Sequence, residues 1–409
     1  MITSDYRPVL KQQIEIFQAE HEGKQMILLK DAEGLTEKTL LMPAETVVLL
    51  ELFNGKNSVR DIQSTILRTT GELVSESEIT DFIKQLEDSY FLEGEKTNEL
   101  RRKIYEEFKK SNVRKAIHKG LSYPDNILEL SVFMSRFLRI DEKIIPNSRS
   151  YGLIVPHIDI LRGGRVYSNG YGRLLNSEIP DVVIAFGTSH RGGNSPLIMT
   201  KKSYETPYGN IETDIELYMK FKEVLWYEPD DEEILHKNEH SLEFQALWLK
   251  YIWREKTPKW LPILTSNYER FAVDIPPSSI ENIERMFRDV EKIISELSRN
   301  KRVMVIAAAD FSHIGPRFGD EINITQEIKA EIERKDKEKI SHILNLDPDG
   351  FYISVISEKN SSKICGLSSI YAALRAIKSI EGDKKPTLLD YAQADDPFGG
   401  FVSFASIVF

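Results

Sequence analysis

Residues 303–314 read VMVIAAADFSHI, seven consecutive apolar residues followed without a turn by Asp310, Ser312 and His313. A short, uniformly apolar run of this kind marks a strand covered on both faces, as in the parallel sheets of α/β proteins. The pattern recurs twice. GLIVP (152–156) leads into His157 and Asp159, and DVVIAFG (181–187) leads into Thr188, Ser189 and His190. LPIL (261–264) and FVSFASIVF (401–409) are also strand-like, while stretches at 240–253, 278–298 and 367–380 carry helical periodicity. Strands alternating with helices predict an α/β domain over residues 127–409. Ligands bind such sheets beyond the carboxyl ends of the strands. Three strands that each end in His beside a hydroxyl or carboxylate therefore predict one shared site.

The 409 residues suffice for two domains. With 41% hydrophobic and 29% charged residues the composition is that of a globular protein, and the net charge of −10 offers no bulk attraction to nucleic acid or anionic membranes. No run approaches the length of a membrane-spanning helix, and a single cysteine excludes an internal disulfide. A cytoplasmic protein is the expectation.

The first 95 residues differ from the rest. QMILLK and KTLLM, separated by DAEGLTE, predict a β-hairpin with a long loop. Three helices are expected after it: one from Pro43 through ETVVLLELF, one capped by Ser58, and one opened by a Ser75–Glu78 capping box. This order suits a small α+β winged-helix domain. Nine basic residues against eighteen acidic ones argue against a duplex as its ligand. The order of elements is similar to PqqD-like domains, which would hold a peptide along a strand edge; a packing or dimerisation module is the alternative. Residues 96–126 are charged and predict an exposed helical linker.

Cys365 lies in SSKICGLSSIYAALRAI, directly before a predicted helix, where the helix dipole favours a thiolate able to attack electrophiles or bind metal. A small buried hydrophobe is the plainer role for a free cysteine. Gly366 beside it suggests a close backbone approach or a turn. In KNEHSLEFQALWLKYI, Glu239 and Glu243 share one helical face with His240 a quarter-turn away. Glu243 among apolar neighbours is either at a water boundary or a buried carboxylate suited to proton transfer, and a solvated helix start capped by Asn238 is the plain alternative.

The blocks PHIDILRGG, GTSHRG, NEHSLEFQ, ADFSHIGPRF, KICG and LDYAQ, in this order, resemble the Memo-like family, also named AmmeMemoRadiSam system protein B, across roughly residues 113–409. The resemblance implies a class III extradiol dioxygenase-like fold. It also implies a metal pocket of two His and one Cys, here His157, His190 and Cys365, with an acid and imidazole at Asp310 and His313. The family's Glu-His-Ser block falls on Glu239, His240 and Ser241. This chain departs from many relatives in HKGLSYP, where Ser122 stands at a Trp position. A radical S-adenosylmethionine protein and an AMMECR-type protein are the implied partners.

Three functions follow as expectations. The first is a redox metalloenzyme, with iron as the expected metal and copper or zinc as alternatives, in which His157, His190 and Cys365 are ligands, Asp310 is the candidate fourth, His240 or Glu243 handles protons, and His313 completes the catalytic set. The second is zinc-dependent or Cys/His-dependent hydrolysis. The third is a non-catalytic component that binds a peptide.

Overall fold

The computed structural model describes residues 2–139, 148–271, 273–397 and 399–409. The chain divides into two compact units, Met1–Lys110 and Ser111–Phe409. No helix among the described residues is long and apolar enough to cross a membrane.

The first unit carries a three-stranded antiparallel sheet in the order Ile14–His21, Lys24–Asp31, Thr39–Pro43. The second and third strands are the expected hairpin. The first was not anticipated, because IEIFQAEH alternates imperfectly and ends in charge. Pro43 closes a strand, and the first helix starts at Thr46. Both capping predictions appear as full capping boxes: Ser58 accepts from the Asp61 amide and Ser75 from the Glu78 amide, with each acid returning a bond to the cap. Ile62, Ile79, Ile83 and Leu86 then bury their side chains against Ile27 and Leu29 of the sheet. The helix expected to link the domains runs Glu95–Lys110 and belongs to this unit.

The second unit is an α/β domain around an eight-stranded mixed sheet. Gly152–Val155, Val303–Ala308, Val182–Thr188 and Lys259–Thr265 lie side by side and parallel in that order. Phe401–Val408 adds antiparallel beyond the first, Leu197–Met199 beyond the last. Successive strand residues alternate between two cores. Ile154, Ile184 and Phe186 enter one, with the helices Glu281–Ser298 and Leu367–Ser379, whereas Leu153, Val155, Val183 and Ala185 enter the other, with Ser241–Trp253 and Ile160–Leu175. Burial of both faces is the reason the strands carry no polar alternation. The glycine-rich Ile160–Leu175 helix lies so close to the sheet that a Cβ on Gly170 would come within 2.7 Å of Val155 Cγ1.

The parallel strands point the same way, so Pro156–His157, Ser189–His190, Ser266 and Ala309–Asp310 emerge along one edge of the sheet. After Ala309 the chain re-enters a strand at once, Asp310–Ile314, which pairs with Phe401–Val408 across a bulge.

Candidate metal centre

Two helices approach this edge from opposite faces of the sheet. On one side Ser241 Oγ donates to Thr188 O at 2.9 Å and Gln245 Nε2 to Pro156 O at 2.9 Å, which pins the start of Ser241–Trp253, and with it His240, between the ends of two strands. Gly187 makes room, since a Cβ there would lie 2.6 Å from Ser241 Oγ. On the other side Gly366 lets the Leu367–Ser379 helix descend on the strand end: its Cβ would stand 2.6 Å from both Ala309 Cβ and Asp310 O. Close approach, rather than an unusual φ, is what this glycine supplies.

The result is a cluster of three imidazoles, His157, His190 and His240, whose donor nitrogens lie within 4.8 Å of one another. Ring centroids are 4.9 Å apart for His157 and His190 and 4.7 Å for His190 and His240, the latter pair stacked. Cys365 Sγ stands 3.1 Å from His157 Nε2. Asp310 Oδ2 lies 3.6 Å from the same His157 nitrogen, while its Oδ1 accepts from the His157 amide at 3.0 Å. The structure therefore brings together His157, His190, Cys365, Asp310 and His240.

The surroundings fix the tautomers. His157 Nδ1 faces Ala308 O at 3.0 Å and His190 Nδ1 faces Glu239 Oε1 at 3.0 Å, so each Nδ1 carries a proton and each Nε2 is the nitrogen left to bind a metal, at His190 after giving up its own proton. Buried Glu239 also lies 3.3 Å from His240 Nδ1 and accepts from the amides of His190 and Ser241, both at 2.9 Å. Carboxylate-oriented imidazole is the usual support of a metal ligand. Two such imidazoles, a third beside them and a thiol form a donor set that fits a transition-metal ion.

The charges follow from this packing. Burial opposes ionisation throughout, but the neighbouring Glu239 outweighs it at His190 and holds that imidazole's pKa well above the usual value, with Glu239 correspondingly well below its own. Burial wins at His240, whose pKa lies well below normal. Burial also pushes the Asp310 carboxyl up to about 6. At Cys365 burial would raise the thiol, yet His157 and His190 outweigh it and bring the pKa down to about 7.

Glu243 stands away from the cluster, whereas His313 lies at its margin, close enough for its charge to act on Asp310 and His190. His313 Nδ1 faces Phe311 O at 3.0 Å and its ring packs on Phe318, outside the imidazole cluster. Glu243 is wholly buried and fully engaged: it pairs with Arg114 and accepts from the Ile117 and His118 amides and from Tyr123 OH at 2.6 Å. All four lone-pair directions of its carboxylate are thereby occupied. Arg114 in turn donates to His236 O and Glu239 O, clamping the segment that carries Glu239 and His240. Nothing in KKSNVRKAIHK distinguishes this buried arginine from its solvated neighbours. His118 was likewise passed over. Its ring stands 5.8 Å from that of His240, and its Nε2 is buried without a hydrogen-bond partner among the described residues.

A cavity of about 270 Å3 opens beside the cluster, lined in part by His190, Cys365, Thr188, Ser189, Ser266 and Glu269.

Comparison with known proteins adds to this geometry. The family model described as Memo-like protein matches residues 114–408. A MEMO1 family protein of Aquifex aeolicus is 28% identical over 404 residues, spanning 98% of this chain and 100% of its own, so the likeness runs through the first unit as well. A MEMO1 family protein of Methanosarcina mazei is 33% identical over 261 residues, 63% of this chain and 85% of its own. Among solved structures, uncharacterized protein JW3007 from Escherichia coli K12 superposes with a TM-score of 0.39 at 13% identity, over 64% of this chain and 100% of that one.

Proposed function

This chain belongs to the Memo-like protein family, and from that premise and the geometry of its histidine cluster we propose that it is a redox-active metalloprotein of the nonhaem-iron, extradiol dioxygenase-like type. The observation that carries the reading is the pair His157 and His190, each with its Nδ1 proton committed to an acceptor and its Nε2 left as a donor, beside the Cys365 thiol. His157, His190 and Cys365 would hold the metal, with His240 as the further imidazole within reach. A bound iron would supply redox chemistry with dioxygen, and a bound zinc an activated water.

The chain's own residues do the rest. Glu239 orients His190 and His240. Asp310, buried against His157 and titrating close to neutral pH, takes up or releases a proton beside the centre. The test is elemental analysis of anaerobically purified protein. Bound iron, lost on His190→Ala, is expected; a His190→Ala protein with full metal occupancy refutes the assignment.

A second reading rests on Cys365 and His157, 3.1 Å apart, which form a thiol–imidazole pair suited to nucleophilic hydrolysis. Protein that carries zinc alone and consumes no oxygen would favour it. Partnership with a radical S-adenosylmethionine protein and an AMMECR-type protein, and a PqqD-like, peptide-holding role for residues 1–95, complete the proposal. Copurification of tagged full-length chain from its own cells tests the first, and peptide binding to full-length chain tests the second.

A further inference from the structure

The cavity beside the cluster is lopsided in what it offers a ligand. A hydroxyl has one proton to give, and most of those in its wall have already given it to a backbone carbonyl: Thr188 to Cys365 O at 3.2 Å, Thr265 to Gly187 O at 3.1 Å, Ser189 to Gly192 O. They face the cavity with lone pairs only. Two exceptions keep their protons: Ser368, which accepts from the Tyr268 amide at 3.0 Å, and Ser266. Ser266 Oγ is buried without any hydrogen-bond partner among the described residues, although a buried polar atom is normally satisfied. A ligand in the adjoining cavity would supply what it lacks.

The charges are equally one-sided. Lys363 reaches the wall, but its ammonium sits 2.5 Å from Asp320 Oδ1 and is neutralised there. Among the described residues Glu269 meets only neutral amides, Asn267 Nδ2 at 3.3 Å and Asn360 Nδ2 at 3.4 Å, both long. The start of the Leu367–Ser379 helix opposes a cation, but only with partial charge spread over its first turn. The cationic His190 ring is already paired with Glu239 at 3.0 Å behind the wall, so the unpaired charge of Glu269 and the surplus acceptors call for a donor-rich cation. The volume of about 270 Å3 is below the usual range for drug-sized ligands and suits one small molecule or one side-chain end.

Resting on the metal-centre reading for what happens next to it, we infer that this cavity is the substrate's binding subsite and takes its cationic end, an alkylammonium or guanidinium group, with Glu269 as counter-ion. The carbon chain attached to that group then lies against Cys365 and His190, which line the same cavity.

The test uses full-length protein, as purified and after chelation, and reads the rate at which iodoacetamide alkylates Cys365. n-Butylammonium is the probe, with butanoate, butan-1-ol and sodium chloride as anionic, neutral and ionic-strength arms. Saturable protection by butylammonium alone is expected, and Glu269→Gln should raise the half-protecting concentration about tenfold or more, each protein being measured against its own unprotected rate. Equal protection by butanol or butanoate, no protection by any arm, or protection that survives Glu269→Gln overturns the inference. Wild-type protein suffices for the comparison of arms if the variant does not fold. Failure of the metal reading would appear separately, as absence of metal in the purified protein, and would leave the chelated-protein result standing.

Discussion

Removing the Glu239 carboxylate isolates the part of the site that is neither metal ligand nor cavity wall. Four donors converge on it: His190 Nδ1 at 3.0 Å, the His190 and Ser241 amides at 2.9 Å each, and His240 Nδ1 at 3.3 Å. Loss of a carboxylate that orients a ligating imidazole costs about ten- to hundredfold in metal affinity. That range corresponds to about 1.4–2.7 kcal/mol. Each buried amide stripped of its acceptor costs about 1–3 kcal/mol of folding stability besides. Glu239→Ala should therefore show both losses. Glu239→Gln keeps one carbonyl oxygen but turns an NH2 group toward a donor, so it should recover stability better than affinity. Competition titrations of zinc and iron(II) against a chromophoric chelator, run beside thermal melts, separate the two quantities. Metal affinity of Glu239→Ala within twofold of wild type would refute the argument that this carboxylate sets the imidazoles.

The remaining predictions concern the thiol, the glycine beneath it and the buried ion pair. Alkylation of Cys365 in chelated protein should rise with pH through a midpoint near 7, because the thiolate is the reactive form and the two imidazoles outweigh burial; His157→Ala should move the midpoint up, and a wild-type midpoint at the ordinary thiol value of 9.0 would contradict this. Gly366→Ala puts a Cβ 2.6 Å from Ala309 Cβ and Asp310 O, so it should cost about 1–3 kcal/mol and raise the thiol midpoint as Sγ leaves His157. An unchanged melt and midpoint would show that the helix start has slack. Glu243→Ala leaves Arg114 charged and wholly buried without its partner, and denaturant unfolding should reveal a loss of about 3–5 kcal/mol. A loss under about 1 kcal/mol would mean that water reaches the guanidinium.

The strands and their polar sequels were legible because a strand buried on both faces has no polar alternation, and the first polar residue after it marks the sheet edge. Hence His157, His190 and Asp310 could be read together from GLIVPHID, DVVIAFGTSH and VMVIAAAD. His240 reads as a helix start; that it stacks on His190 depends on two hydrogen bonds tying its helix to Thr188 and Pro156, which no local pattern encodes. Ile160–Leu175 was illegible for the opposite reason: its glycines have the look of a loop yet serve close packing on the sheet. Arg114 and Glu243 lie 129 positions apart, and only the assembled fold reveals that each is the other's counter-charge.

The clamp that Gly366 permits draws the thiol onto imidazoles made long before it, since Cys365 follows His157 by 208 positions. During synthesis the histidines thus leave the ribosome well before their sulfur companion, and the cluster is complete only once the helix Leu367–Ser379 has docked on the strand end.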